Sequence, residues 1–262
     1  MITILHGNAP DELAKLPADS VHCCITSPPY DQLRTYGGHE WDFEATAVAI
    51  TRVLMPGGVI CWVVNDGVVN GSETVTSCKQ KIFFHEKCGL RIHDTMIYQK
   101  RNFSHPEKAR YHQTFEYIFV LSKGAPKTFN PIKDRKNITA GCVGNLGVNT
   151  FTECDGSKSV RSKKVTASYG MRHNVWLGNT RGQEEMCVEL KHPAMMPKWL
   201  ARDLMLSWTN PGDTVIDPMA GSGTTGQVAL SHGRSAILIE ANSEYLPLIQ
   251  ERCHQTPDHL AL

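Results

Sequence analysis

The residues best suited to chemistry lie in two widely separated loops. The first is Asp217-Pro218-Met219-Ala220-Gly221-Ser222-Gly223-Thr224-Thr225-Gly226. Gly221, Gly223 and Gly226 satisfy G-x-G-x-x-G, a spacing that permits a tight turn and lets backbone N–H groups approach a ligand closely. No Gly-Lys-Ser/Thr follows, so the loop is not a phosphate-cradling P-loop. Glu240 stands 19 residues beyond Gly221, the distance at which an acidic side chain accepts hydrogen bonds from ribose hydroxyls. The second loop is Thr26-Ser27-Pro28-Pro29-Tyr30. It combines a hydroxyl, a backbone carbonyl and an aromatic ring on a stiff corner whose two prolines, lacking N–H donors, cannot continue a strand or open a regular ladder.

Together the glycines and Glu240 indicate an adenosine-containing cofactor. A carboxylate at Asp217 would repel the pyrophosphate of a dinucleotide but could receive an ammonium group. S-Adenosylmethionine, which carries a sulfonium and an amino-acid tail and no phosphate, fits that loop better. A nicotinamide-dependent oxidoreductase is the alternative reading.

Ser-Pro-Pro-Tyr after a buried strand, with Asp-Pro-x-x-Gly-Ser-Gly-Thr-Thr far downstream, resembles the DNA amino-methyltransferases. The order, catalytic loop first and cofactor loop last, is similar to their circularly permuted beta class. The likeness extends to Gly7-Asn8-Ala9, to Arg52–Gly58 and to His192-Pro193-Ala194-Met195-Met196-Pro197. It implies methyl transfer from S-adenosylmethionine to the exocyclic N4 of cytosine or N6 of adenine in double-stranded DNA. Catalytic residues would be Ser27, Pro28, Pro29 and Tyr30. Cofactor contacts would come from Asn8, Ala9, Thr26, His192, Ala194, Met196, Pro197, Asp217, Met219, Ala220, Gly221, Ser222, Gly223, Thr224, Thr225 and Glu240. Relatives often have Gly-Asp where this chain has Gly7-Asn8, and Phe where it has Met196. Ser at the first position of the tetrapeptide is commoner in N4-cytosine enzymes, so cytosine N4 is the expected target and adenine N6 the alternative. Homodimerisation and a cognate restriction nuclease are options that the resemblance leaves open.

The chemistry fits these residues. An aromatic amine is a poor nucleophile because its lone pair is delocalised. Acceptors on its two protons, here Ser27 Oγ and the Pro28 carbonyl, would hold the lone pair toward the methyl group. A base inside a duplex must first be flipped out, and Tyr30 offers it an aromatic face. Arg34 and Tyr36 lie in a stretch, Asp31–Trp41, that reads either as a mobile cover touching DNA or as a plain surface loop.

The elements that must position these loops read as α/β. Ile2–Leu5, Val21–Thr26, Val59–Val64, His93–Gln99, Phe115–Ser122, Thr214–Asp217 and Ala236–Glu240 are strand-like. Pro10–Leu16, Phe43–Leu54, Ser72–His85, Pro197–Trp208, Thr224–His232 and Ser243–Cys253 are helix-like, with Pro56-Gly57-Gly58 ending the second. The expectation is a Rossmann-like, mostly parallel sheet with helices on both faces, circularly permuted, plus an irregular basic insertion. Residues 1–125 would form the catalytic part, 126–189 a target-recognition insertion, and 190–262 the cofactor-binding part.

Composition sets the outer bounds. The 262 residues carry 27 Lys+Arg against 26 Asp+Glu, a net charge of +1. Taken whole, that balance argues against nucleic acid, but residues 100–181 hold 15 basic and 5 acidic side chains. Lys133, Arg135, Lys136, Arg161, Lys163, Lys164 and Arg172 are the candidate DNA contacts there. No apolar run approaches a membrane span and no secretory leader is visible. The nine cysteines are odd in number and contain no Cys-x-x-Cys, so a reduced, cytoplasmic protein without a metal site is expected.

Overall fold

The computed structural model describes residues 1–29, 41–103, 108–142, 149–161, 165–179 and 195–254. In chain order the elements are β1 (Ile2–His6), α1 (Ala9–Lys15), β2 (Val21–Thr26), α2 (Phe43–Val53), β3 (Leu54–Val64), β4 (Val68–Val69), β5 (Ser72–Glu73), α3 (Thr76–Glu86), β6 (Arg91–Lys100) and β7 (Phe115–Ser122). There follow β8 (Arg135–Lys136), β9 (Asn149–Thr152), β10 (Lys158–Arg161), β11 (Tyr169–Gly170), β12 (Val175–Gly178), α4 (Lys198–Trp208), β13 (Thr214–Asp217), α5 (Thr224–Ser231), β14 (Ser235–Glu240) and α6 (Leu246–His254). Two compact units result, residues 1–130 with 174–262, and residues 131–173.

The larger unit is organised by an eight-stranded sheet in the order β1-β14-β13-β2-β3-β7-β6-β12. Every neighbouring pair is parallel except those made by β7, which runs against both β3 and β6. The central strands are apolar without alternation because both faces are covered. Cys23–Thr26 and Val59–Val64 are buried at every position. On one face Leu13 of α1, Ile50 and Val53 of α2 and Phe84 of α3 pack with Cys24, Ile60, Trp62, Ile216 and Ile239. On the other face α5 lies so close to the sheet that a Cβ on Gly226 would come within 2.5 Å of Leu238 Cδ1 and 3.1 Å of Ile2 Cδ1. The third glycine of the loop motif is therefore a packing glycine.

Three elements differ from the sequence reading. Pro56-Gly57-Gly58 does not separate α2 from a later strand. It lies inside β3, in a bulge where residues 54–59 oppose only residues 21–23 of β2. Gly57 makes this workable, since its φ of +82° suits only glycine and its N–H and C=O pair with Lys123 O and Lys127 N. The helix expected from Ser72 begins at Thr76, because Ser72 and Glu73 form a hairpin strand with Val68 and Val69. Val175–Gly178, inside the stretch read as insertion, is an edge strand of the main sheet, paired with β6.

The smaller unit, residues 131–173, contains two short antiparallel pairs, β8 with β11 and β9 with β10. Asn137 N–H donates to Ser168 O and Gly141 N–H to Thr166 O, extending the first pair. The unit carries eight Lys+Arg and three Asp+Glu. Among the described residues no helix is long and apolar enough to cross a membrane.

Candidate functional site

The two chemical loops meet because β2 and β13 are adjacent and parallel, with Val215 opposite Cys23 and Ile216 opposite Cys24. Beyond β13 the chain enters α5 and returns to β14. Beyond β2 it proceeds through α2 to β3 on the opposite side. The carboxyl ends of β2 and β13 thus flank the point where the strand order reverses, the standard location of a ligand crevice in an open α/β sheet. Ser27 follows directly on β2. It is half-buried, while Pro28 is buried against the body.

Asp217 joins the loops. Its Oδ1 accepts from Thr26 Oγ1 at 2.7 Å and from Met219 N at 3.1 Å, and its Oδ2 accepts from Thr225 Oγ1 at 2.7 Å. Only 5 % of the residue is exposed. Burial is the main influence on its carboxyl and raises the pKa to about 6, against the lowering effect of the hydrogen bonds from Thr225, Thr26 and Met219. The expected ammonium contact must therefore share a carboxylate that already holds the crevice together.

Glu240, at the end of β14, closes the glycine loop from the other side. Its Oε2 accepts from Gly221 N at 2.7 Å and its Oε1 from Asn242 N at 2.9 Å. Gly221 and Gly223 take φ of +52° and +79°, left-handed values that glycine adopts without strain. The corner after β1 adjoins this carboxylate, because Gly7 N–H donates to Glu240 O at 3.1 Å. Asn8 sits at that corner, and its side chain makes no capping bond to α1. Asn8, Ala9, Ala220 and Glu240 are thereby brought to one edge of the sheet. Met219 packs against the core below. Met196 is half-buried, and Pro197 opens α4, accepting from Leu200 N and Ala201 N.

One residue that sequence reasoning missed belongs here. Arg252 of α6 is 9 % exposed, and its Nη1 donates to Ser222 Oγ at 2.9 Å and to Thr224 Oγ1 at 2.6 Å. The available signal was an arginine placed in the buried helical stripe Ile249, Arg252, Cys253.

Tyr30, Arg34, Tyr36, Lys163, Lys164, His192 and Ala194 lie outside the described residues, as does most of the proposed cover. Arg161 is placed only through its backbone in β10. Lys133, Arg135 and Lys136 are exposed. Arg172 is committed within its own unit, where its guanidinium grips both carboxylate oxygens of Asp134 and holds that carboxyl below its usual range. Arg135 Nε likewise donates to Met171 O.

The donor set suits a phosphate-free adenosine cofactor. Two buried carboxylates, Asp217 and Glu240, brace the loop, and neither Lys nor Arg lies within residues 217–226. A pyrophosphate would meet these two carboxylates with no basic residue of the loop itself to offset them, while the nearby Arg252 guanidinium is engaged with the Ser222 and Thr224 hydroxyls.

The chain matches the N6/N4 DNA methylase family over residues 21–251 and belongs to it. It is 42 % identical over 236 residues to the orphan methyltransferase M.BamHII of Bacillus amyloliquefaciens, spanning 89 % of this chain and 88 % of that protein. It is 30 % identical over 261 residues to the DNA adenine methyltransferase YhdJ of Escherichia coli K12, spanning 94 % and 80 %. Its fold is similar to that of the PvuII cytosine-N4-specific DNA methyltransferase, with a TM-score of 0.68 at 18 % identity over 99 % of this chain and 88 % of that one. The protein is an S-adenosylmethionine-dependent DNA amino-methyltransferase. The nicotinamide alternative is thereby set aside.

Proposed function

We propose that this methyltransferase modifies the exocyclic N4 of a cytosine flipped out of duplex DNA. The observation that carries the proposal is the placement of Ser27, a neutral hydroxyl one residue beyond the Thr26–Asp217 bond, at the rim of the reversal-point crevice. When bound in that crevice, S-adenosylmethionine supplies an electrophilic methyl group. Asn8, Ala9, Glu240 and residues 219–221 would hold its adenosine end, and residues 222–225 with Met196, Pro197, His192 and Ala194 would enclose its methionine end. Ser27 Oγ and the Pro28 carbonyl accept hydrogen bonds from the two N–H groups of the target amine, which aligns the nitrogen lone pair. Tyr30 stacks on the extruded ring. No covalent adduct to the base is required, and the buried thiols of Cys23, Cys24 and Cys61 serve the core.

Residues 126–189, and within them the basic unit 131–173, supply the contacts to DNA. Lys133, Arg135, Lys136, Arg161, Lys163 and Lys164 meet phosphates and base edges. A second reading, adenine N6, is favoured by one observation: YhdJ, 30 % identical, is an adenine methyltransferase. The test is transfer from methyl-labelled S-adenosylmethionine to duplex DNA of mixed sequence, followed by digestion to nucleosides. Label in N4-methyldeoxycytidine supports the proposal. Label confined to N6-methyldeoxyadenosine overturns it in favour of the second reading.

A further inference from the structure

The loop from Asp217 to Thr225 is pinned by three buried charged side chains, each from a different element. Asp217 of β13 holds Met219 N and Thr225 Oγ1, and Glu240 of β14 holds Gly221 N. Arg252 of α6 holds the hydroxyls of Ser222 and Thr224, which are also 3.3 Å from each other. These hydroxyls flank Gly223, whose left-handed φ of +79° makes the turn. Gly223 has no side chain by which it could be anchored, so the turn is held through its two neighbours.

Arg252 reaches a second segment as well. Its Nη2 lies 3.7 Å from Met195 Sδ, in the run Met195–Pro197 that leads into α4. A guanidinium buried to this degree is costly, and an apolar side chain would fill the stripe between Ile249 and Cys253 more cheaply. What the guanidinium adds is a rigid fork of donors that touches two walls at once.

We infer that Arg252 is a positioning residue for the methionine end of the cofactor. It sets the Ser222–Thr224 turn and the Met195–Pro197 segment in fixed relation. The inference rests on the reading that these two segments enclose S-adenosylmethionine. The adenosine end is braced separately, by Glu240 at Gly221 and by the corner at Gly7. Loss of Arg252 is therefore felt by a ligand that has the amino-acid tail and much less by one that lacks it.

The test compares binding of S-adenosylmethionine and of 5′-methylthioadenosine, which lacks the amino-acid tail, to the full chain by calorimetry. Arg252→Met is expected to weaken the first at least tenfold and the second less than threefold. The KM for S-adenosylmethionine should rise while kcat at saturation changes little. Arg252→Lys, which keeps the charge and part of the reach, should recover part of the loss. Equal weakening of both ligands, or of neither, overturns the inference. If Arg252→Met does not fold, Arg252→Lys carries the same comparison, with the same selective loss expected and the same two contrary results. Gly223→Val separates the underlying reading, since a β-branched side chain at a φ of +79°, pressed against Ile249, displaces the whole loop, Gly221 included, and must weaken both ligands. A folded Gly223→Val protein that binds both normally overturns the loop assignment itself, and the inference with it.

Discussion

The Thr26 hydroxyl donates to Asp217 Oδ1 across 2.7 Å, joining residues 191 positions apart in the chain. One is the last residue of the strand that leads to Ser27, and the other begins the glycine loop. The bond fixes where Ser27 and Pro28 stand relative to the glycine loop. Thr26 is wholly buried, so Thr26→Val removes the donor without changing the side chain's shape and leaves the Asp217 carboxylate short of a partner. The expected loss is about 1.5–3 kcal/mol of folding stability, read from urea unfolding. Thr26→Ser, which retains the hydroxyl, should lose clearly less.

Asp217 also makes stability depend on pH in a distinctive way. Its folded-state pKa is about 6, above the ordinary 3.8. Between these values the folded protein binds a proton that the unfolded chain has released. The contribution of this group to stability therefore increases as pH falls through 6 and is lost as pH rises back through it. Asp217→Asn removes the titration while preserving an oxygen acceptor. The stability of the wild type relative to Asp217→Asn should improve from pH 7 to pH 4.5, as followed by chemical denaturation. A difference that stays constant or worsens toward low pH would show that burial does not dominate at this carboxyl.

Charge in the basic segment should govern DNA affinity. Removing one cation–phosphate pair makes the slope of log affinity against log salt shallower by about 0.9. Reversing Lys163 and Lys164 to Glu should weaken binding to duplex DNA of any sequence at low salt and reduce that slope by about two. Fluorescence anisotropy across a salt series reads both quantities. By contrast, Arg172→Ala should act mainly on stability, because that guanidinium is paired with Asp134.

Much of the site was legible in the sequence because its parts are local. Residues 21–26 form a largely apolar strand followed by two prolines, and the Gly221–Gly226 spacing reports a strand–loop–helix turn whatever surrounds it. The α/β order was equally readable in the C-terminal third, where strand and helix periods alternate. What could not be read depends on distant partners. Pro56-Gly57-Gly58 looks like a break until β2 lies beside it and shows a bulge. Val175–Gly178 is only four residues long and becomes a strand by pairing with β6. The bonds that Asp217 accepts from Thr26 and Thr225, beside any ligand contact, are likewise invisible before the strands are paired. Arg252 stands in the apolar stripe of α6, but its partners, Ser222 and Thr224, appear only when the helix packs beneath the loop. Pairing across long chain separations decides each of these cases, and periodicity carries no record of it.

On the proposed mechanism, Ser27 Oγ accepts a hydrogen bond from the target amine in the transition state, a role beyond ending a strand. Single-turnover methyl transfer by Ser27→Ala, measured alongside its affinity for S-adenosylmethionine, tests it most directly. The rate is expected to fall by about 10²-fold with cofactor affinity close to that of the wild type. An unchanged rate, or a loss of rate matched by a loss of cofactor binding, would contradict it.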